Sequence, residues 1–306
     1  MQKEQTPGDR LLAQAIDRQQ RGLPDEAQTL VVDRVWREPP EQQALTVTYC
    51  RSFVADQPVH QAIIDGRAVS LDHPQRLTPI SIPKPWGREI WFTGMEARGE
   101  SAIALAESDT VPLGTYLALA PGHLTGGRTP VLLKILDPRP EPVLGELYLE
   151  VHETKQEVYV VTAIDAAAWP EGTGSIRYGV NQAKRREFDS DSAFRAAFLT
   201  ALGRYEKVRR EIDEGAIGLE AQETEAREMA LGFTDSRPLR VGDVISVPTW
   251  VPHSLQQGVR VVEFQTPTYE RYILSSSQKV LTQDGWDSAH AVENMLLDTP
   301  ADSPPE

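Results

Sequence analysis

Between Trp86 and Val161 the chain is a series of short apolar runs, EIWFTG, SAIALA, TYLALA, PVLLKIL, ELYLEVH and EVYVVTAI, separated by glycine, proline and aspartate. Runs this short fit strands, and several of them punctuated by turn residues predict a double-sheet sandwich or a barrel. SIRYGV adds a weaker strand, and from Leu239 the texture resumes in LRVGDVISVP, QGVRVVEFQ and ERYILSS. The β pattern is interrupted once. In SAFRAAFLTALGRYEKVRREIDEG, residues Phe194, Phe198, Leu202, Tyr205, Val208 and Ile212 recur at steps of three or four, the period of a helix packed on one face. Asp189 or Ser190 can cap its start and Gly215 can end it. LEAQETEAREMALGF predicts a second helix. The expected class is mainly β, with a helical excursion inside a β unit.

The flanks are read the same way. Residues 9–20 suit a short helix with Leu11, Leu12 and Ile16 on one side, and LTVTYCRSFV and HQAIIDGRAV read as strands ending at a turn. Pro74, Pro79, Pro83 and Pro85 then mark a connector or an edge, because proline removes a ladder donor. After Gln283 the chain turns acidic and proline-rich, ending in DTPADSPPE, which predicts a loose tail. The expected division is an N-terminal extension over 1–78, a β barrel over 79–188 and 232–280, a helical insertion over 189–231, and a tail over 281–306.

A net charge of −14 repels phosphate backbones and anionic lipid, which argues against nucleic-acid and membrane partners. It leaves room for a local basic pocket that captures a small anion. Cys50 is the only cysteine, so no disulfide framework forms within the chain. The polar start MQKEQTPGDR and the lack of a long apolar run predict a cytoplasmic protein.

Strand side chains alternate faces, so Tyr148, Glu150 and His152 of ELYLEVH share one face. ETKQ can turn the chain, and the next strand opens with Glu157. A hairpin of this kind gathers Glu150, His152 and Glu157. A second fragment, VGDVISVPTWVPHSLQQGVRVVEFQ, has the spacing G-x5-P-x4-H through Gly242, Pro248 and His253, the layout of the second cupin motif. The first fragment matches the first cupin motif, H-x-H-x4-E, with Glu150 in place of the first histidine. The expected fold is therefore a cupin, or jelly-roll, barrel. Its ligand set would be Glu150, His152, Glu157 and His253, and two imidazoles with two carboxylates suit zinc, iron, manganese or nickel.

A narrower resemblance rests on KPWGREIW, PVLLKILDP, LEVHE, TKQEVYVV, IRYGV, the His253 fragment and TYERYI. The chain resembles the cupin-fold type I mannose-6-phosphate isomerases over roughly residues 80–275. That resemblance implies one divalent ion, zinc foremost, on Glu150, His152, Glu157 and His253. It implies a sugar or sugar-phosphate ligand, active-site roles for Lys134 and Lys155, and Arg271 as the arginine that steadies the enediol. Arg139 and Arg88 are further candidates for contacting phosphate. The chain departs from the family pattern in four places. Glu150 stands for glutamine, Pro248-Thr249-Trp250 for Pro-x-Gly, and Leu255 for tyrosine. The shortened QTPTYER offers Glu270 where the family has an aspartate.

Aldose–ketose isomerisation needs a cation at the carbonyl, a base for the carbon-bound proton and a fixed positive group for the oxyanion. The sequence leaves the base unassigned: Lys155 or an acid near the site could serve. The alternatives are a non-catalytic metal- and carbohydrate-binding cupin, or another metal-cupin enzyme such as an epimerase or dioxygenase.

Overall fold

The computed structural model of the protein describes residues 7–34, 41–94, 99–105, 109–119, 132–266, 268 and 270–298. In chain order its elements begin with α1 (Pro7–Gln20), β1 (Ala27–Arg34), β2 (Glu41–Val54), β3 (Gln57–Ile64), β4 (Arg67–Ser70), β5 (Leu77–Thr78), β6 (Ile80–Lys84) and β7 (Gly87–Phe92). Next come β8 (Ala102–Ala104), β9 (Thr110–Pro112), α2 (Leu113–Leu119), β10 (Leu132–Pro138), β11 (Leu149–Val151), β12 (Glu157–Ile164) and β13 (Gly174–Val180). The helices α3 (Gln182–Arg185), α4 (Asp191–Asp213) and α5 (Glu220–Leu231) follow. The chain closes with β14 (Thr234–Leu239), β15 (Val244–Val247), β16 (His253–Leu255), β17 (Val259–Gln265), β18 (Tyr272–Ser275) and α6 (Ser288–Asn294).

These elements form two compact units, Met1–Ile80 with Trp91–Leu132, and Ser81–Ile90 with Leu133–Glu306. In the first unit β1 to β4 make an antiparallel meander. Its last two hairpins turn on Ala55-Asp56 and Asp65-Gly66, all four at positive φ, the mirror-image turn that matches strand twist. Leu12 of α1 packs with Val47, Ile64 and Val69 beneath the sheet. The boundary differs from the expected one at 78. Residues from Trp91 onward group with the N-terminal elements because β8 pairs with β5 and β9, and the Ser101 hydroxyl donates to Trp91 O at 2.9 Å. TYLALA, expected as a strand, forms most of α2. Leucine and alanine favour helix, Thr115 and Leu119 are buried one turn apart, and Glu100 accepts from the Gly114 N–H at 2.5 Å.

The second unit is built on two antiparallel sheets. One has the order β15-β12-β17-β10-β7-β6 and the other β14-β13-β16-β11-β18. A single core draws on both: Tyr159, Val161, Val247 and Val261 from the first sheet, and Ile176, Leu255 and Ile273 from the second. The opposite face of the five-stranded sheet, through Leu149, Val151 and Leu274, packs on α4, α5 and α6. The helical insertion thus covers a sheet face, as the period of its apolar residues requires. Ser190 caps α4 by accepting from the Ala193 N–H at 3.1 Å, and Phe194, Phe198, Leu202 and Tyr205 are buried. The tail differs from expectation. Ala291, Val292, Met295 and Leu297 join that same core through α6, and the composition of the last residues concealed this apolar spacing. Residues 299–306 lie outside the described residues. No described helix is long and apolar enough to cross a membrane.

Candidate metal centre

β11 is short, and its central residue Glu150 pairs with His253 of β16 on one side and Ile273 of β18 on the other. The two motifs, distant in sequence, are thus neighbours by register. Leu149 and Val151 face the helices, which turns Glu150 toward the core between the sheets. His152 follows at once, and its carbonyl accepts from the Trp250 N–H at 2.7 Å. The turn after it is held by Glu270, whose carboxylate accepts from the N–H groups of Glu153 and Thr154, each at 2.7 Å, and from the Thr154 hydroxyl at 2.9 Å. Glu270 therefore latches the turn that carries Lys155, and its neighbours account for its lowered pKa: burial opposes the charge, and the backbone donors outweigh it. Glu157 then opens β12, between Val247 and Gln265.

The structure brings Glu150, His152 and His253 together, and Glu157 lies against both imidazoles. His152 Nε2 lies 3.7 Å from Glu150 Oε1 and 3.4 Å from Glu157 Oε1. His253 Nε2 is 3.2 Å from Glu157 Oε2, and the two imidazole centroids are 5.0 Å apart. Ligand atoms of Glu150, His152 and His253 all lie within 4.8 Å of one another. His253 Nδ1 sits 2.9 Å from the Val251 carbonyl, which can only accept, so Nδ1 carries a proton. In the neutral ring the lone pair is then on Nε2, facing a carboxylate oxygen. Two such acceptors repel at this distance unless a proton or a cation lies between them. Glu150 Oε2, His152 Nε2 and His253 Nε2 are buried without a hydrogen-bond partner. Unpartnered imidazole nitrogens and a carboxylate oxygen gathered around one point are the donor set a divalent ion requires, so the residues fit the metal.

The electrostatics agree. Burial pushes the Glu157 carboxyl up, but Lys155 and the two imidazoles hold it well below its usual range. Glu150 is lowered against burial by His152, Lys155 and Arg271. Burial lowers His152, whereas on His253 the Glu157 carboxylate overcomes burial and raises the pKa.

Lys155, expected in a turn, is buried, with Nζ 2.5 Å from Glu157 Oε1. Burial alone would favour the neutral amine, and the surrounding carboxylates raise its pKa instead. Lys134 is buried 3.6 Å from Glu263. The Arg271 guanidinium lies 4.7 Å from the centre of the Tyr148 ring. Arg88 pairs with Asp137 at 2.7 Å and Arg139 is exposed. Leu255 is core packing, 1% exposed. Tyr269 lies outside the described residues.

Sequence reading missed a feature made by strand order. Glu157, Glu263, Lys134, Glu89 and Lys84 are buried on β12, β17, β10, β7 and β6, five successive strands of one sheet. Lys84 and Glu89 pair at 3.3 Å. The available signal was a charge at an inward position of an apolar strand, as in VVEFQ and REIW. Burial and Glu157 push Glu263 up to about 8, against Lys134 and Lys155. A carboxyl raised in the folded state stabilises fully below its usual 4.5, and that contribution is lost as pH rises to about 8. The metal-free protein is therefore expected to lose stability between pH ~4.5 and ~8. The loss should be smaller in Glu263→Gln, as read by urea midpoints across that range.

Trp250, in place of the glycine in the family pattern, has φ of 62°. Its ring stacks on Tyr272 at 5.8 Å, with interplanar angle 5°, and meets His290 at 5.7 Å. The ring contacts hold a backbone conformation that disfavours a Cβ. Trp250→Ala and Trp250→Gly both remove the ring, but only glycine relieves the strain. Trp250→Gly is expected to be the more stable of the two by about 0.5–1 kcal/mol, the reverse of the usual order. Thermal unfolding of the pair measures it.

No protein-family model matches the chain, and no curated protein matches it in sequence. Solved structures do. Mannose 6-phosphate isomerase from Bacillus subtilis superposes with a TM-score of 0.50 at 17% identity, over 75% of this chain and 71% of that one. A variant of phosphomannose isomerase from Salmonella typhimurium gives a TM-score of 0.51 at 13% identity, over 74% and 75%. A zinc-bound mannose 6-phosphate isomerase gives 0.51 at 14% identity, over 74% and 75%. The fold is thus the cupin fold of the phosphomannose isomerases, as the sequence motifs led one to expect.

Proposed function

We propose that the protein is a metal-dependent aldose–ketose isomerase acting on a sugar phosphate, with mannose 6-phosphate and fructose 6-phosphate as the first pair to test. The premise is a cupin fold shared with enzymes of that name. The observation that carries the reading is the convergence of unpartnered acceptor atoms of Glu150, His152 and His253, with Glu157 against both imidazoles. A bound divalent ion, zinc as in one structural neighbour or iron, manganese or nickel, would polarise the substrate carbonyl and orient the adjacent hydroxyl.

The rest falls to the chain's own side chains. Arg271 carries a permanent charge beside Glu150 and can meet the oxyanion that develops as the proton leaves carbon. Lys155 and Lys134, paired with Glu157 and Glu263, would meet an anionic sugar only by exchanging those partners for it. Glu263, whose carboxyl is pushed up by burial and Glu157, lies 3.6 Å from Lys134 and is a candidate to exchange the substrate proton.

A coupled assay with mannose 6-phosphate and a panel of aldose phosphates tests the reading. Turnover is expected, and Arg271→Ala should lower kcat by roughly 10²–10³-fold while leaving ion binding intact. Failure of the metal-loaded protein to turn over any sugar phosphate would sink the proposal. A second reading has its own support: Glu150, His152 and His253 make a two-histidine, one-carboxylate set that also suits iron-dependent oxygen chemistry. Oxygen uptake by the iron-loaded protein would favour it.

A further inference from the structure

Arg271 is held from one side by the segment between β18 and α6. Its Nη2 donates to Thr282 Oγ1 at 2.6 Å and its Nε to Gln283 Oε1 at 3.3 Å. Gln283 Nε2 in turn donates to Asp287 Oδ2 at 2.8 Å. The amide can face only one way. Reversed, it would set its NH2 against a guanidinium, which has no acceptor, and its oxygen against a carboxylate, which has no donor.

Asp287 is itself fixed. It precedes α6, where an aspartate side chain ordinarily caps the helix, but it makes no capping bond. Oδ2 accepts instead from the Ile273 N–H at 2.9 Å, and the Asp287 N–H donates to Ile273 O at 2.7 Å. Ile273 is the strand partner of Glu150. The chain of contacts therefore starts at the register position of a candidate ligand and ends at the Arg271 guanidinium. The segment is anchored at Val280 and Trp286, which pack in the core, and between them residues 281–285 border a cleft of about 590 Å³.

We infer that Gln283, oriented by Asp287 and assisted by Thr282, is a positioning residue that sets the guanidinium plane of Arg271 relative to the ion site. The inference rests on the proposed role of Arg271, but the geometry can be tested without turnover.

In the full-length protein, the ¹⁵N–¹H signal of Arg271 Nε, assigned with Arg271→Lys, reports its hydrogen bond directly. In Gln283→Met that signal should move to the position of a solvated arginine. If sugar phosphate is turned over, kcat should fall about 10-fold with KM within ~2-fold. Gln283→Glu alone should also perturb the signal, by placing two carboxylates together. Thr282→Val should give a smaller shift and keeps the test open if the Gln283 variants fold poorly. An Nε signal unmoved in Gln283→Met would overturn the inference. Signals that behave as expected in a protein that isomerises no sugar phosphate would uphold the positioning and reject the isomerase reading.

Discussion

Replacing Glu157 with leucine is expected to destabilise the metal-free protein by about 3–5 kcal/mol, as a buried charge that loses its partner does. Lys155 is 5% exposed and its ammonium lies 2.5 Å from a Glu157 oxygen, so the substitution strands a cation in the core. It also removes the acceptor of the Tyr159 hydroxyl, at 2.7 Å, and the carboxylate facing His253. Adding Lys155→Met should restore most of the loss, because an apolar pair replaces an ionic one. Urea unfolding of the single and double variants measures both. A Glu157→Leu protein as stable as the parent would mean that Lys155 reaches solvent, and the buried ionic cluster would have to be redrawn.

Replacing His253 with alanine is expected to weaken divalent-ion binding by more than ~100-fold, beyond the ~10–100-fold typical of losing a residue that only supports a ligand. The argument is geometric. Nδ1 is committed to the Val251 carbonyl, so Nε2 is the atom that faces the site, and alanine removes that lone pair. Competition against a calibrated chelator gives the affinity, and circular dichroism checks that the variant is folded. Retention of parental affinity would remove His253 from the ligand set and, with it, the link between the two sequence motifs. Loss of affinity with unchanged secondary structure would support the ion site independently of any assay of turnover.

Much of the site was legible because two periodicities are local. A strand's alternation is covalent geometry, so Glu150 and His152 could be placed on one face from ELYLEVH alone. The turn residues of ETKQ and the G-x5-P-x4-H spacing are local in the same sense, as is the stripe from Phe194 to Tyr205 that became the buried face of α4. TYLALA shows the limit of such reading: six residues can satisfy a strand or a helix, and burial of Thr115 and Leu119 decided for the helix.

What the amino-acid order determined by itself was therefore the fold class, the helical insertion and the identity of the candidate ligands. Tertiary structure alone decided that Glu150 lies opposite His253, that Lys155 is buried on Glu157, and that five buried charges line up across five strands. It alone decided that Trp250 takes a left-handed backbone and that α6 closes the helical core. The reason is physical: side-chain direction follows from bonds within a few residues, whereas strand order and register follow from which distant segments together bury the most apolar surface while leaving each buried charge a partner.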